Sequence, residues 1–147
     1  MSGKIEIILI GKTGSGKSQL GNFWLGEKVF EVSVNPAPKT TEILKRTKDN
    51  LSIIDTPGLQ DSNRIGMIEY IKKSKNLNGI LIVINCQEPH FSEDIQNMIR
   101  LICIVFYCET YKNIGLVYTK FYGKKKEKEK IYNNKIDFTY QTKELVE

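Results

Sequence analysis

One short segment of the chain, residues 11–18, fits very few folds. It reads Gly11-Lys12-Thr13-Gly14-Ser15-Gly16-Lys17-Ser18 and matches G-x-x-x-x-G-K-[ST] at every fixed position. Glycines permit a tight concave loop whose N–H groups face inward, and a helix that begins at the end of the loop turns its positive dipole end to the same side. The segment therefore predicts a strand, a phosphate-binding loop and a helix, in that order.

The residues on either side of the loop have the composition of such a strand and helix. Ile5–Ile10 is a nearly continuous apolar, β-branched run, as expected of a strand buried on both faces. Lys17–Leu25 can form a helix, and Gly26 suits its C-terminal cap. A surface turn rich in Gly, Ser and Lys is the alternative, and it does not account for these neighbours.

The motif assigns roles to the residues of the loop. Lys17 would reach the β- and γ-phosphates of a nucleotide, and the Ser18 hydroxyl would hold Mg²⁺. The predicted nucleotide contacts are Gly11, Lys12, Thr13, Gly14, Ser15, Gly16, Lys17, Ser18 and Gln19.

A second motif follows a second apolar run. Leu51–Asp55 is predicted to be a strand, and it ends in Asp55-Thr56-Pro57-Gly58. In P-loop nucleotidases an Asp at such a strand end holds Mg²⁺, and the Gly58 N–H could sense the γ-phosphate. Alone, this tetrapeptide is an ordinary turn with Pro at a favoured position. Beside a phosphate-binding loop it indicates a nucleotide hydrolase, and the sequence Asp-Thr-Pro-Gly is typical of GTPases.

The two motifs together resemble those of the immune-associated nucleotide-binding GTPases, the IAN/GIMAP group with an AIG-type G domain. The resemblance rests on residues 11–18, on Gly21-Asn22 with Leu25-Gly26 downstream, and on Asp55-Thr56-Pro57-Gly58-Leu59. Phe91-Ser92-Glu93-Asp94 resembles a further stretch of that family. The likeness runs from about Lys4 to Lys120 and implies GTP or GDP and Mg²⁺ as ligands.

The resemblance also implies a switch threonine whose hydroxyl and carbonyl meet Mg²⁺ and the γ-phosphate. It favours Thr40, in the proline-containing loop that precedes the second strand, with Thr41 as the neighbouring candidate. Both threonines could instead begin the strand Glu42–Arg46, because Thr favours strands.

Leu59 occupies the position where many small GTPases carry a water-orienting Gln, and Gln60 is one residue further on. The family resembled also lacks that Gln. This departure predicts slow intrinsic hydrolysis, or a catalytic group supplied by a partner or by a second copy in a nucleotide-dependent homodimer.

The box that should read guanine is only partly present. Thr119-Lys120-Phe121-Tyr122 follows the fifth predicted strand, and the pattern [NT]-K-x-D predicts base contacts for Thr119 and Lys120. Tyr122 stands where an Asp should accept the base N–H groups, and leaving a buried base edge unpaired costs about 1–3 kcal/mol. The sequence therefore does not decide whether the site selects guanine. Without the family resemblance, Thr119-Lys120 is interpreted as the end of a strand.

The order of elements predicts an α/β, three-layer P-loop NTPase fold, with a mostly parallel sheet and helices on both faces. An antiparallel pair is expected at Asp49-Asn50, and the last strand and helix of a G domain are expected to be incomplete. The predicted strands are Lys4–Ile10, Glu42–Lys48, Leu51–Asp55, Gly79–Asn85 and Asn113–Thr119. The predicted helices are Lys17–Leu25, about Arg64–Lys75, and Ser92–Phe106 with Ser92 as its N-cap.

The apolar stripe of the third predicted helix indicates core rather than a partner groove. It consists of Ile95, Met98, Ile99, Ile102, Val105 and Phe106. Residues 1–122 are expected to be the G domain, and 123–147 a Lys-rich tail that is part of it or poorly ordered. The run Lys124–Lys130 is interpreted as a solvated helix with Glu127 paired to Lys130, and 136–140 as a short strand.

Composition narrows the partners and the compartment. The net charge is +5, and most of it comes from the run Lys124–Lys130, which has five Lys against two Glu. Because the rest of the chain has no basic stripe, no nucleic-acid surface is predicted. Peripheral membrane contact through that run is a less favoured reading than solvation. Leu101–Cys108, the longest apolar run, is too short to span a bilayer.

No targeting signal is recognised, and a cytoplasmic protein is expected. The three cysteines do not have metal-ligand spacing with the single His90, and they indicate buried thiols in a reducing compartment. These cysteines are Cys86, Cys103 and Cys108.

Taken together, the sequence predicts a GTP-binding protein with slow, Mg²⁺-dependent hydrolysis that acts as a switch or scaffold. Lys17, Thr40 and Gly58 are the catalytic candidates, and Ser18, Thr40 and Asp55 are the metal candidates. Two alternatives stay open. One is a degenerate pseudo-GTPase that serves as an interaction or dimerisation module, and the other is a P-loop ATPase.

Overall fold

A computed structural model describes residues 3–32, 41–59, 61–88, 92–106 and 113–133. Strands and helices alternate along the chain as the sequence predicts. The elements are β1 (Ile5–Ile10), α1 (Lys17–Leu25), β2 (Leu44–Lys48), β3 (Leu51–Asp55), α2 (Asp61–Lys73), β4 (Gly79–Asn85), α3 (Glu93–Phe106) and β5 (Ile114–Thr119). A further helix, α4, covers residues 125–133.

The strands form one sheet in the order β2-β3-β1-β4-β5. β1 pairs in parallel with β3 on one side and β4 on the other, β5 extends the parallel sheet beyond β4, and β2 is antiparallel to β3. After β1 the chain forms β2 and β3 on one side of that strand, and it later forms β4 and β5 on the other side. Such a switch point opens a crevice at the carboxyl ends of the strands, which is where ligands bind in open α/β sheets.

Helices cover both faces of the sheet, so the predicted fold class is confirmed. On one face α2 and α3 cover alternate residues of β1 and β4, and on the other α1 packs with Phe30 against Leu9, Ile53 and Val83. Four residues of the predicted α3 stripe are buried: Ile95, Met98, Ile99 and Ile102. The side chains of Val105 and Phe106 lie outside the described part of the chain.

Some predicted element boundaries were wrong by a few residues. α2 begins at Asp61 and ends at Lys73, rather than spanning Arg64–Lys75. β2 begins at Leu44 instead of Glu42, and β1 and β5 each begin one residue later than predicted. α3 begins after Ser92, whose carbonyl accepts the Gln96 N–H at 3.1 Å.

The pair Gly21-Asn22 joins α1 to the chain that follows it. A Cβ at Gly21 would lie 2.9 Å from the Phe30 ring, so only glycine lets the helix come this close. The Asn22 amide accepts the N–H groups of Val29 and Phe30 at 2.9 and 2.8 Å, and it donates to the Phe30 carbonyl at 2.9 Å. Gly26 ends the helix at φ 66, as predicted.

The lysine-rich run was predicted to be a solvated helix, but Glu127 within it is buried, with only 7% of the residue exposed. The predicted pairing of Glu127 with Lys130 is replaced by other contacts. Glu127 accepts hydrogen bonds from Gln87 and from the loop before α4, and Lys130 donates to the Cys86 carbonyl at 3.0 Å.

Cys86 and Cys103 are buried, whereas Cys108 lies outside the described residues. In the described ranges, none of the helices combines the length and the apolar character needed to cross a membrane.

Replacing Asn22 by Ala tests the contact between α1 and the following loop. Three hydrogen bonds are lost, and at about 0.5–1.5 kcal/mol each we expect the free energy of unfolding to fall by about 2–4 kcal/mol. Phe23→Ala is the matched control, because Phe23 lies on the same helix with its side chain 77% exposed. Urea unfolding measures both variants, and equal stability of the two would contradict this role for Asn22.

Candidate phosphate-binding site

The loop between β1 and α1 has the backbone conformation that its glycines permit. Gly14 and Gly16 have φ values of 77° and 93°, in the left-handed region, and the Ser15 N–H donates to the Lys12 carbonyl at 3.1 Å. Left-handed residues alternating with ordinary ones turn successive N–H groups toward one side, which makes an anion-binding concavity. Gly16 is also the N-cap of α1, so the positive end of the helix faces the same concavity.

Lys17 folds back over this loop from the first turn of α1. Its ammonium donates to the carbonyls of Gly11 and Lys12, both at 2.9 Å, and the residue is only 6% exposed. Burial lowers the pKa of Lys17 to about 8, and the Asp55 carboxylate opposes part of that shift. Carbonyl dipoles compensate only part of the charge of a buried ammonium. Binding of an anion in the loop would therefore be favourable.

Ser18 and Asp55 meet beside Lys17. The Ser18 hydroxyl donates to Asp55 Oδ2 at 2.6 Å, and Asp55 is buried at the end of β3, opposite Leu9 of β1. Parallel pairing of β1 with β3 thus brings residues from the two motifs together.

These two oxygen donors fit a magnesium ion. Mg²⁺ prefers hard oxygen ligands and is usually held by one or two protein groups together with substrate phosphates and water. The described residues contain no cluster of three or more His, Cys, Asp or Glu that would indicate a fully protein-ligated metal. Within the loop, the buried Ser15 hydroxyl has no hydrogen-bond partner among the described residues.

The Asp55-Thr56-Pro57-Gly58 segment lies directly against the phosphate loop. Thr56 Oγ1 donates to the Leu9 carbonyl at 2.7 Å, and the Leu59 N–H donates to the Gly11 carbonyl at 3.3 Å. A Cβ at Gly58 would lie 2.0 Å from Thr13 Oγ1, so a larger residue would push the segment away. Leu59 is buried in the core and offers no polar group at this position, and Gln60 lies outside the described residues.

The end of β5 contacts the phosphate loop from the opposite side. Thr119 Oγ1 donates to the Ser15 carbonyl, and Lys120 Nζ donates to the Gly14 carbonyl at 3.2 Å. Tyr122 is 70% exposed and brings no carboxylate to the position where the guanine pattern requires one. The two residues predicted from the base box therefore lie on the loop, while the third position carries an exposed aromatic ring.

The remaining predicted residues are peripheral or lie outside the described ranges. Lys12 forms an ion pair with Glu88 at 3.5 Å, Thr13 is exposed in the loop, and Gln19 is exposed in the first turn of α1. Thr40, the predicted switch threonine, is outside the described residues, whereas Thr41 is described and is exposed. The role of a switch threonine therefore stays a prediction.

Sequence reasoning missed two groups near the site. Gln87 and Glu127 form a hydrogen bond of 2.7 Å beside the loop that follows β5. A Glu at the third position of a helix is a known capping signature, and Glu127 has that position in α4. The lysines on either side obscure this signature. The motif that contains Thr56 likewise does not reveal the hydrogen bond that anchors Thr56 to Leu9.

Comparison with known proteins relates the chain to one family. The AIG1 family model matches residues 5–143. Immune-associated nucleotide-binding protein 7 of Arabidopsis thaliana is 28% identical over 128 residues, an alignment that covers 78% of this chain and 40% of that protein.

Two solved structures share the fold. One is Toc33 from Arabidopsis thaliana in complex with GDP and Mg²⁺, with a TM-score of 0.73 and 20% identity over 97% of this chain and 63% of the other. The second is a structure of the chloroplast translocon components atToc33 and psToc159, for whose GTPase activity dimerisation is important. It has a TM-score of 0.63 and 22% identity, and it covers 97% of this chain and 59% of the other.

The chain thus spans less than two thirds of each of these relatives. At the identities of the two solved structures, the likeness shows the fold alone. The family match extends from β1 to beyond α4 and includes both sequence motifs. The chain belongs to the AIG1 family.

Proposed function

We propose that this chain binds a guanine nucleotide with Mg²⁺ and hydrolyses GTP slowly, as a nucleotide-controlled switch or scaffold. The observation that carries the proposal is the meeting of Lys17, Ser18 and Asp55 at the phosphate loop. The relatives support it, because one is named as nucleotide-binding and one was solved with GDP and Mg²⁺.

Each group at the loop has a role in this proposal. The loop N–H groups and the Lys17 ammonium bind the phosphates, and Ser18 and Asp55 hold the metal, with Thr40 as the third candidate ligand. A Mg²⁺ ion held by Ser18 and Asp55 would supply positive charge beside the phosphate oxygens. Gly58 lies against Thr13 of the loop, and we assign its N–H to sensing the γ-phosphate. Catalysis here is positioning and charge stabilisation.

Slow hydrolysis follows from the residue after Gly58. Leu59 is an apolar core residue and cannot orient an attacking water molecule. We propose that a partner or a second copy of the chain supplies the missing group. The importance of dimerisation for GTPase activity in the chloroplast translocon relatives supports this step.

A second function is favoured by Tyr122. With an exposed ring in place of the base-reading carboxylate, the chain could serve as an interaction module that has lost base selection. Such a module would bind its partner equally with and without nucleotide, whereas a switch would not.

Replacing Lys17 by Met tests the proposed phosphate site. Removal of a charge-assisted bond costs about 1.5–3 kcal/mol, so we expect the affinity for GDP with Mg²⁺ to fall about 10- to 100-fold by calorimetry. Lys28→Met is the matched control, because Lys28 is exposed beyond the end of α1. If both variants bind GDP as tightly as the wild type, the phosphate site is wrongly assigned.

The affinity for GDP should also depend on pH through Lys17. The pKa of this buried ammonium is lowered to about 8, and phosphate binds the protonated form, so above that pH the free protein must take up a proton to bind. We expect Kd to be nearly constant below about pH 7.5 and to rise about five- to tenfold between about pH 8 and 9. The Lys17→Met variant should lose this rise, and a rise that persists in it would assign the dependence to another group or to the nucleotide.

A further inference from the structure

The loop between β5 and α4 is held by one buried carboxylate. Glu127 Oε2 accepts the N–H groups of Tyr122 and Lys124 at 3.0 and 3.1 Å, while its Oε1 accepts Gln87 Nε2 at 2.7 Å. The bond from Lys124, the residue before α4, closes the start of that helix as in a capping box. Three of the carboxylate's acceptor sites are thus used within the protein, so Glu127 is not a substitute for the missing base-reading Asp.

Gln87 extends this arrangement to the base box itself. Its amide nitrogen donates to the Lys120 carbonyl at 2.8 Å as well as to Glu127, and its own N–H is held by the Asn85 side chain at 2.9 Å. Gln87 follows β4 and Glu127 lies in the first turn of α4, so the loop is fixed from two separate elements. Its backbone is held at three residues: Lys120, Tyr122 and Lys124.

The constraint matters because the Lys120 backbone is strained. Lys120 has a φ of 53°, in the left-handed region that a residue with a side chain rarely adopts. Such a conformation persists only where the surroundings impose it, and it is concentrated at functional sites. Here it is combined with the bond from Lys120 Nζ to the Gly14 carbonyl, which keeps the side chain over the phosphate loop.

The electrostatics of Glu127 suit this role. The hydrogen bond from Gln87, and then those from the Tyr122 and Lys124 N–H groups, lower the pKa of the carboxyl although burial opposes the shift. The group is therefore ionised at neutral pH, and an ionised acceptor makes hydrogen bonds about twice as strong as a neutral one.

We propose that Gln87 and Glu127 are positioning residues for nucleotide recognition, which act by holding Lys120 where its side chain can contact the base. The inference rests on the proposed function. With Tyr122 in place of an Asp, contact with the stem of Lys120 becomes a larger part of base binding, so loss of the clamp formed by Gln87 and Glu127 reduces nucleotide affinity through Lys120.

A double-mutant cycle tests this mechanism. Glu127→Gln keeps the shape of the side chain, removes its charge and replaces one of its two acceptor oxygens by an NH2 donor. We expect the Kd for GDP with Mg²⁺ to rise about tenfold in the wild-type background and less than about twofold in a Lys120→Met background. Glu129→Gln is the matched control, because Glu129 is an exposed residue of the same helix that forms an ion pair with Lys125 at 4.0 Å. It should bind GDP like the wild type.

The outcomes separate this inference from the proposed function. A wild-type protein that fails to bind GDP overturns both. If the wild type binds and Glu127→Gln has no effect, or has the same effect with and without Lys120, the positioning role is wrong while the proposed function stands. Thermal unfolding shows whether each variant is folded, and Gln87→Ala, which alters a turn residue instead of a buried one, replaces Glu127→Gln in the cycle if that variant does not fold.

Discussion

The buried ammonium of Lys17 is the constraint on which the rest of this structure depends. A charged group removed from water is unstable unless fixed dipoles or opposite charges compensate it. Here the carbonyls of Gly11 and Lys12 do so, in a loop that turns through left-handed residues at Gly14 and Gly16. The ammonium is thereby kept at the positive end of α1, where the proposed anionic ligand would add the remaining compensation.

The surrounding elements hold the loop in that shape. β3 contributes the Asp55 carboxylate. Leu59, in the segment that follows β3, donates a hydrogen bond to the Gly11 carbonyl. The end of β5 contributes Thr119 and Lys120, which donate to the Ser15 and Gly14 carbonyls. The sheet order places β3 beside β1 and β5 beside β4, so the site is a direct product of the topology. The proposed clamp of Gln87 and Glu127 extends this support to the loop after β5.

The features that could be predicted from sequence are those whose physical cause is local. The phosphate loop needs glycines at set positions, the buried strands need apolar runs, and the α3 stripe follows the helical period. The start of α2 at Asp61 was missed because its first turn, Asp-Ser-Asn, carries no apolar residue to reveal the period. The burial of Glu127 was missed because it depends on Gln87, forty positions away along the chain, and a charged run does not reveal a distant partner. Thr40 keeps its predicted role as a proposal, outside the described residues.

The most direct test of this account is a calorimetric titration of the wild-type protein with GTP, GDP and ATP, each with and without Mg²⁺. We expect GTP and GDP to bind, Mg²⁺ to strengthen GTP binding through Ser18 and Asp55, and ATP to bind more weakly. Equal affinity for ATP and GTP would contradict guanine recognition and leave a P-loop site without base selection. Absence of binding by all three would contradict the account as a whole and favour the interaction module.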